Sequence, residues 1–319
     1  MTVPMDPVVT AVVCTHNPRP DHLGPTLDSL RAQTLPTDRW EFLLVDNASA
    51  EPLAGRTDLG WHPNGRVVRE DRTGLTWARL RSFEEAQAPL IVYIDDDNIL
   101  DPGYLENALA RFEAEPDLGA AGGRSLPVYE AEPPDWFRGL GIHLACRDLG
   151  DETIEASWAG VPVSERSYPR CAPVGAGMCI RTEAYRAYVE AAASDPVRTS
   201  LGRSGESLAS GEDNDIIMSV LDAGWRVAYF PELSLQHLIP AGRVQPGYLE
   251  RIAYSSNKTW VLVLGVHGIR PWAAIPPWTA PLRKARAYVR QRAWAAAPNR
   301  VRWRGACGTI DGRALLPST

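Results

Sequence analysis

Three carboxylates stand side by side in YIDDDNIL, where Asp95, Asp96 and Asp97, followed by Asn98, end a short apolar run. Like charges this close repel, and removing them from water is costly unless a cation neutralises them. Two readings are open: a solvated acidic turn, or a clamp for a hard divalent cation, Mg²⁺ or Mn²⁺, which takes carboxylate and phosphate oxygens. A second acidic group, GEDND at residues 211–215, puts Glu212, Asp213 and Asp215 where an apolar-periodic run begins. Helix starts favour acids, so a cap explains the group; a general base that removes a proton from a hydroxyl explains it as well. His237, between ELSLQ and LIPAGR, is either a structural histidine or a neutral imidazole for a metal. Arg79, in RTGLTWARLRS, is either a surface arginine or a guanidinium placed to pair with a diphosphate.

The elements that would hold these groups follow from hydrophobic periodicity. The run VVTAVVC (8–14) reads as a buried strand, followed by the turn-like THNPRP. In residues 22–33, Leu23, Leu27 and Leu30 form one helical stripe, and WEFLLVDNAS is a second strand ending at Asp46 and Asn47. GRVVRED is a short strand, 75–87 a helix, and PLIVYI a strand that runs into the aspartates. A helix near 102–113 precedes an irregular stretch, 120–172, rich in Gly, Pro and aromatic residues. TEAYRAYVEAAA and GEDNDIIMSVLDAGW then read as helices, and WRVAYFPELSLQHL as a pair of short strands. Strands alternating with helices imply an α/β fold with a doubly wound, parallel sheet, whose ligands gather beyond the carboxyl ends of the strands. Asp46, Asn47 and the 95–98 group are expected to converge there, and a soft boundary falls near 115–120.

Composition narrows the function classes. A chain of 319 residues, 45% hydrophobic and 23% charged, is neither disordered nor collagen-like and can bury a large core. Five scattered cysteines (Cys14, Cys146, Cys171, Cys179, Cys307) without a CxxC pair indicate neither a disulfide framework nor a zinc knuckle, and fit a reducing cytosol. The opening MTVPMDPVVTAVVC lacks a basic leader, and no stretch approaches the roughly 20 apolar residues of a spanning helix, so neither a secretion signal nor a transmembrane anchor is expected. The net charge of -6 hides an asymmetry, because 281–313 carries nine Arg or Lys against one acid, Asp311. With Trp294 and Trp303 interleaved, that segment suits a solvated basic tail, an anionic membrane surface or nucleic acid; of these partners, nucleic acid is not expected for the chain as a whole.

In chain order, VVCTHNPRPDHLGPTLDSLRAQT, LLVDNAS, GLTWAR, YIDDDNILDP, VGAGMCIR, GEDNDI and LQH resemble the inverting family 2 glycosyltransferases, over roughly residues 8–255. The resemblance implies the nucleotide-diphospho-sugar transferase (GT-A) fold: a mostly parallel sheet flanked by helices, with a nucleotide-sugar half (1–118), an acceptor and catalytic-base half (119–255), and a helical, basic, Trp/Arg-rich extension (256–319). It implies that Asp46 contacts the nucleobase, usually uracil, with Thr15 beside it, and that Arg79 contacts the nucleotide, although Leu80 and Ser82 replace the usual Asn and Gly. Asp95 to Asp97 match the family's DxD, with Asp95 near the ribose and Asp97 on a Mn²⁺ or Mg²⁺ that bridges the diphosphate; Asp96 is grouped with the donor site without a role of its own.

On the acceptor side the resemblance implies Gly175, Ala176, Gly177 and Met178. Asp213 becomes the implied catalytic base beside Glu212, His237 a second metal ligand, and Arg243 a cation for the departing diphosphate. The implied partners are a nucleotide-diphospho-sugar, with a UDP-sugar favoured by its frequency in the family, and a sugar or lipid-linked acceptor, as in cell-surface polysaccharide or glycoconjugate synthesis. A sugar-phosphate nucleotidyltransferase would need a glycine-rich basic loop where THNPRP stands, and a nicotinamide dehydrogenase would need GxGxxG. A non-catalytic nucleotide- or carbohydrate-binding protein of the same fold is the remaining alternative. No feature of the sequence sets the oligomeric state.

Overall fold

Period-two alternation along the first strands sends one set of apolar side chains to each face of a sheet, and both sets are buried. In the computed structural model, which describes residues 6–142 and 144–317, β1 (Val9–Thr15), β2 (Trp40–Asn47), β3 (Gly65–Glu70) and β4 (Leu90–Asp95) pair in parallel in the order β3-β2-β1-β4. Residues 1–5, part of the segment read for a leader, lie outside the described residues. Val9, Ala11, Val13, Val92 and Ile94 face α1 (Pro20–Arg31) and α3 (Tyr104–Ala114). Val12, Leu43, Ile91 and Tyr93 face α2 (Leu75–Glu85), α4 (Thr182–Ser194) and α6 (Glu212–Asp222). Each fully buried Val or Leu contributes about 1.5–3 kcal/mol of hydrophobic stabilisation, so the alternation fixes the register strongly.

The sheet continues past residue 118. β5 (Asn98–Leu100), β6 (Leu118–Tyr129), β8 (Met178–Arg181) and β9 (Arg226–Ile239) extend it in the order β4-β8-β6-β9-β5, and β7 (Ile154–Ala156) pairs with β9. The long ladders are parallel and the short ones antiparallel, which gives the expected doubly wound, mostly parallel α/β architecture with helices on both faces. The order reverses between β1 and β4, and such a switch point opens a crevice at the carboxyl ends. Register sets Thr15 beside Asp46 and Cys14 beside Asp95 at that edge.

Two expectations need correction. The stretch read as irregular from residue 120 begins as twelve-residue β6, whose glycines hid it. A Cβ at Gly119 would fall 2.5 Å from the Trp225 side chain, and one at Gly123 2.0 Å from the Leu233 carbonyl, so close approach excludes the bulky residues that mark strands. Nor is 226–239 two short strands: it is one 14-residue strand, β9, which pairs with β7 along its first half and β5 along its second. A register shift in its ladder with β6, between Gly122 and Arg124, absorbs the change.

The C-terminal region forms α7 (Pro246–Val266), α8 (Ala280–Arg290) and α9 (Ala297–Leu315). Gly305, Gly308 and Gly312 each cost an isolated helix about 1 kcal/mol relative to Ala. They let α9 lie against α7: a Cβ at Gly308 would sit 2.1 Å from the Tyr254 carbonyl oxygen. No helix among the described residues is long and apolar enough to cross a membrane.

A buried charge network ties α6 to the end of α7. His267 Nε2 lies 2.7 Å from Asp215 Oδ1 and its Nδ1 contacts Asp222, while Arg198 and Arg166 also bind these carboxylates, each at 2.6 Å. Burial opposes the charge on His267, but Asp215 and Asp222 raise its pKa above the ordinary 6.5. A raised folded pKa means that the native chain holds the proton longer than the unfolded one. The stability contributed by His267 is therefore complete below about 6.5 and is lost as pH rises through the folded value. Urea unfolding at a series of pH values is expected to show the gap between wild type and His267→Gln shrinking above that point; a gap that widens with pH would contradict the ion pairs.

Candidate active site

A cavity of about 1060 Å³ opens at the carboxyl edge of β1 and β4 and extends to α7 and α9. Thr15, Arg79, Asp95, Asp96, Asp97, Gly175, Ala176, Glu212, Asp213, His237 and Arg243 all line it, although they are scattered from the first strand to the turn after β9.

The DDD turn owes its shape to Asn98. Its Oδ1 accepts from the Asp95 amide at 3.0 Å and its Nδ2 donates to Asp97 Oδ1 at 3.3 Å. β5 then turns the chain back along β9, with Asn98 opposite His237 in the antiparallel register, and this pairing delivers the histidine to Asp97. His237 Nε2 is 3.2 Å from Asp97 Oδ1, and Arg243 Nη1 is 3.1 Å from Oδ2. Burial alone would raise the pKa of Asp97, but His237 and Arg243 bring it down to about 2. Burial likewise opposes the His237 charge, yet the bond to Asp97 carries it up to about 9. Asp96 behaves differently: burial and the neighbouring Asp97 charge raise it to about 6, against the hydrogen bond it accepts from the Thr15 hydroxyl. The middle aspartate is thus anchored to the end of β1.

Across the cavity, α6 begins with the second acidic group. Asp213 Oδ2 accepts from the Gly175 amide at 3.1 Å and Oδ1 from the Asn214 amide at 2.9 Å, which orients the carboxylate. Burial raises its pKa, with Arg79 opposing. Glu212 has another task. Its Oε2 accepts from Arg79 Nη1 at 2.8 Å in a pair that is almost wholly buried, while Glu212 Oε1 and Arg79 Nε have no hydrogen-bond partner among the described residues. Burial raises Glu212 to about 7, against the attraction of Arg79. Arg79 keeps its charge because Glu212 and Asp95 outweigh burial. Gly175 makes room for this arrangement, since a Cβ there would lie 2.9 Å from Arg79 Nη2.

Three expected residues stand apart. Asp46 is buried behind the cavity wall, its carboxylate engaged by the Ser49 amide at 3.1 Å, the Leu53 amide at 3.0 Å and Arg69 at 2.7 Å. Its neighbour Asn47 reaches the wall instead, because adjacent strand residues point to opposite sides. Gly177 and Met178 also lie behind the wall: Gly177, at φ +73°, packs on Tyr104 and Leu235, and Met178 opens β8 opposite Tyr93. The sequence reading missed Trp260, Asn257 and Arg302, which α7 and α9 contribute to the wall. Trp260 packs edge-on against Tyr168 at 5.4 Å, and Tyr168 accepts from Asn214 at 2.9 Å, which links α7 to the Asp213 turn. Only the tertiary packing of the C-terminal helices could reveal them.

The Asp97 carboxylate and the His237 imidazole, once the proton it shares with Asp97 is displaced, would supply an oxygen and nitrogen donor pair for a divalent ion of the Mn²⁺ or Mg²⁺ class, with Asp95 and Asp96 adjacent. Two protein ligands would leave positions for diphosphate oxygens and water. Exposed Asp21 and Glu130, with buried His22 between them, also bring metal-type side chains close together, but Arg19 already pairs with Glu130 at 2.7 Å and contacts Asp21.

The Arg79–Glu212 pair makes an asymmetric prediction. Glu212→Met strands a cation that cannot shed its charge, whereas Arg79→Met leaves a carboxyl already raised to about 7 that can take up a proton. Glu212→Met is expected to lose about 3–5 kcal/mol in urea unfolding at pH 6 and Arg79→Met clearly less; the opposite order would overturn this account of the pair.

Residues 10–151 match the family model described as Glycosyl transferase family 2, and residues 90–297 match Glycosyl transferase family group 2. Glucosyl-dolichyl phosphate glucuronosyltransferase of Haloferax volcanii is 26% identical over 151 residues, 43% of this chain and 48% of that protein. The succinoglycan biosynthesis protein ExoM of Rhizobium meliloti is 24% identical over 266 residues, 81% of this chain and 76% of that protein. Alignments to some relatives span 12% to 48% of those proteins' own length. Among solved structures, the mannosyltransferase PcManGT from Pyrobaculum calidifontis, in complex with GDP-Man and Mn²⁺, has a TM-score of 0.54 at 21% identity, covering 95% of this chain and 74% of that one, a likeness of fold.

Proposed function

The chain belongs to the family 2 glycosyltransferases, and from that premise we propose that it transfers a sugar, with inversion, from a nucleotide-diphospho-sugar to an acceptor hydroxyl. One observation carries the reading: a single cavity holds the oriented carboxylate of Asp213 and, at the sheet edge, the Asp97, His237 and Arg243 cluster. The first can accept a proton; the second can hold a diphosphate.

In the proposed reaction the acceptor oxygen bonds to the anomeric carbon from the face opposite the diphosphate. The bond from that carbon to the diphosphate oxygen breaks, and its electron pair leaves with the nucleoside diphosphate. Positive charge builds at the anomeric carbon, as in other glycosyl transfers. The hydroxyl proton passes to Asp213, whose two backbone hydrogen bonds fix its direction. Arg243 offers positive charge to the leaving group, Arg79 holds Glu212 and the local field, and Asp95 is assigned to the ribose. A divalent ion on Asp97 and His237 would offset the charge that develops on the diphosphate. In this reading the nucleotide lies against Thr15 and Asn47, which line the cavity, and Asp46 braces that wall through Arg69 and Ser49.

A UDP-sugar is the first donor to test, with a sugar or lipid-linked acceptor; the ExoM relative motivates polysaccharide synthesis as the setting. The domain halves, 1–118 and 119–255, are assigned to donor and acceptor.

Asp213→Asn is expected to lower kcat by about two to four orders of magnitude while donor affinity stays near wild type. In wild type the rate is expected to rise with pH through an inflection above the ordinary aspartate value of 3.8, because the base works only when ionised and burial raises its pKa. Near-normal turnover of Asp213→Asn with its assigned donor would sink the base assignment. Calorimetry of nucleotide-sugar binding with and without Mn²⁺ tests the other half: Asp97→Ala should lose the metal-dependent part of the affinity, and an unchanged metal response would remove Asp97 from that site.

A further inference from the structure

We propose that the outward face of α8, with the turns on either side of it, is a docking surface for an anionic phospholipid bilayer. On an α-helix, residues seven apart share a face. Leu282 and Val289 do so, and they are 77% and 63% exposed; Trp278, in the turn before the helix, is 83% exposed. Arg286 lies between them, and Arg283 and Arg290 flank them on one side. Trp294, in the turn after the helix, is 56% exposed and leans against Tyr288 at 5.8 Å, so it stands at the margin of this face.

The opposite stripe of α8 is engaged with the protein. Ala280 is buried, Lys284 Nζ pairs with Asp311 at 2.6 Å, and Tyr288 packs edge-on against Trp303 at 5.1 Å. α9 therefore fixes which face of the helix points outward, and that face is the one carrying Leu282 and Val289. The local acids are occupied, Asp311 by Lys284 and Glu250 by Arg300, so Arg283, Arg286 and Arg290 carry no ion pair among the described residues.

A row of exposed aliphatic and indole side chains flanked by unpaired arginines matches the chemistry of the lipid interface. Apolar tips enter the acyl boundary, tryptophan sits at headgroup depth, and arginine meets lipid phosphate. Nucleic acid would use the arginines but leave Leu282 and Val289 without a partner. A second copy of this face would set arginine against arginine. The remainder of the chain is acidic, since the net charge is -6 even with this basic segment included, so an anionic surface would repel the body and attract this face. Gln291, which caps α8, lines the active-site cavity, so docking would bring the cavity wall to the bilayer.

The test is cosedimentation of the full chain with vesicles of phosphatidylcholine mixed with phosphatidylglycerol, against pure phosphatidylcholine vesicles. Binding is expected to the mixed vesicles only, with release at high salt. The combined Arg283→Glu, Arg286→Glu and Arg290→Glu variant should lose at least about 100-fold in affinity, from roughly a fivefold loss per arginine–lipid contact compounded over three. Leu282→Ser with Val289→Ser should weaken binding while its salt dependence persists. These positions are exposed, so thermal melting of both variants should match wild type, and a variant that melts early is replaced by Trp278→Ser with Trp294→Ser. Equal binding to neutral vesicles, no effect of any variant, or binding of an oligonucleotide or self-association in place of vesicle binding would each overturn the proposal. The assay reads no sugar transfer, so its outcome is separate from that of the proposed reaction.

Discussion

Charge balance in a desolvated crevice governs this molecule. Five acids, Asp95, Asp96, Asp97, Glu212 and Asp213, line one cavity at the sheet edge. Water cannot solvate all of them, and buried carboxylates without partners would protonate or unfold the edge. The structure answers with Arg79 beneath Glu212, and with His237 and Arg243 on either oxygen of Asp97. The compensation is uneven. Asp97 is driven down to about 2, Asp96 up to about 6 and Glu212 up to about 7, so neighbouring carboxyls acquire different tasks.

The surrounding architecture serves that balance. β5 is only three residues long, yet its antiparallel pairing with β9 is what sets His237 beside Asp97. α6 presents Asp213 at its first turn, and the His267 network holds that helix against α7. The glycines of α9 let the C-terminal hairpin close the far side of the cavity, and the same hairpin determines which face of α8 meets solvent. Local choices that look unfavourable, such as glycines within a strand or a helix, become intelligible as clearance for a neighbouring backbone.

Much of this was legible in the chain. The alternation of VVTAVVC and PLIVYI announced buried parallel strands, and the leucine stripe 23, 27, 30 announced the first helix, because periodicity records which face is dry. The order of DDD, GEDND and LQH marked the groups that meet in the cavity. Asp46 shows what the chain alone left open. A polar residue ending a strand signals proximity to the crevice, but whether its side chain points into the cavity or behind it depends on the pleat and on Arg69, which comes from the next strand. β6 was hidden for a related reason, since its glycines are selected by what lies across from them.

Residue type and spacing by themselves determined the fold class, the acidic groups and the family resemblance, because these depend on local periodicity and on the chemistry each side chain carries. Tertiary structure alone decided which oxygen each cation holds, that Glu212 pairs with Arg79 while Asp213 faces the cavity, that Asp96 is tied to Thr15, and that α7 and α9 build the far wall. Those outcomes depend on distances of a few ångströms between residues as far apart in the chain as Asp97 and Arg243, and such distances are set by packing.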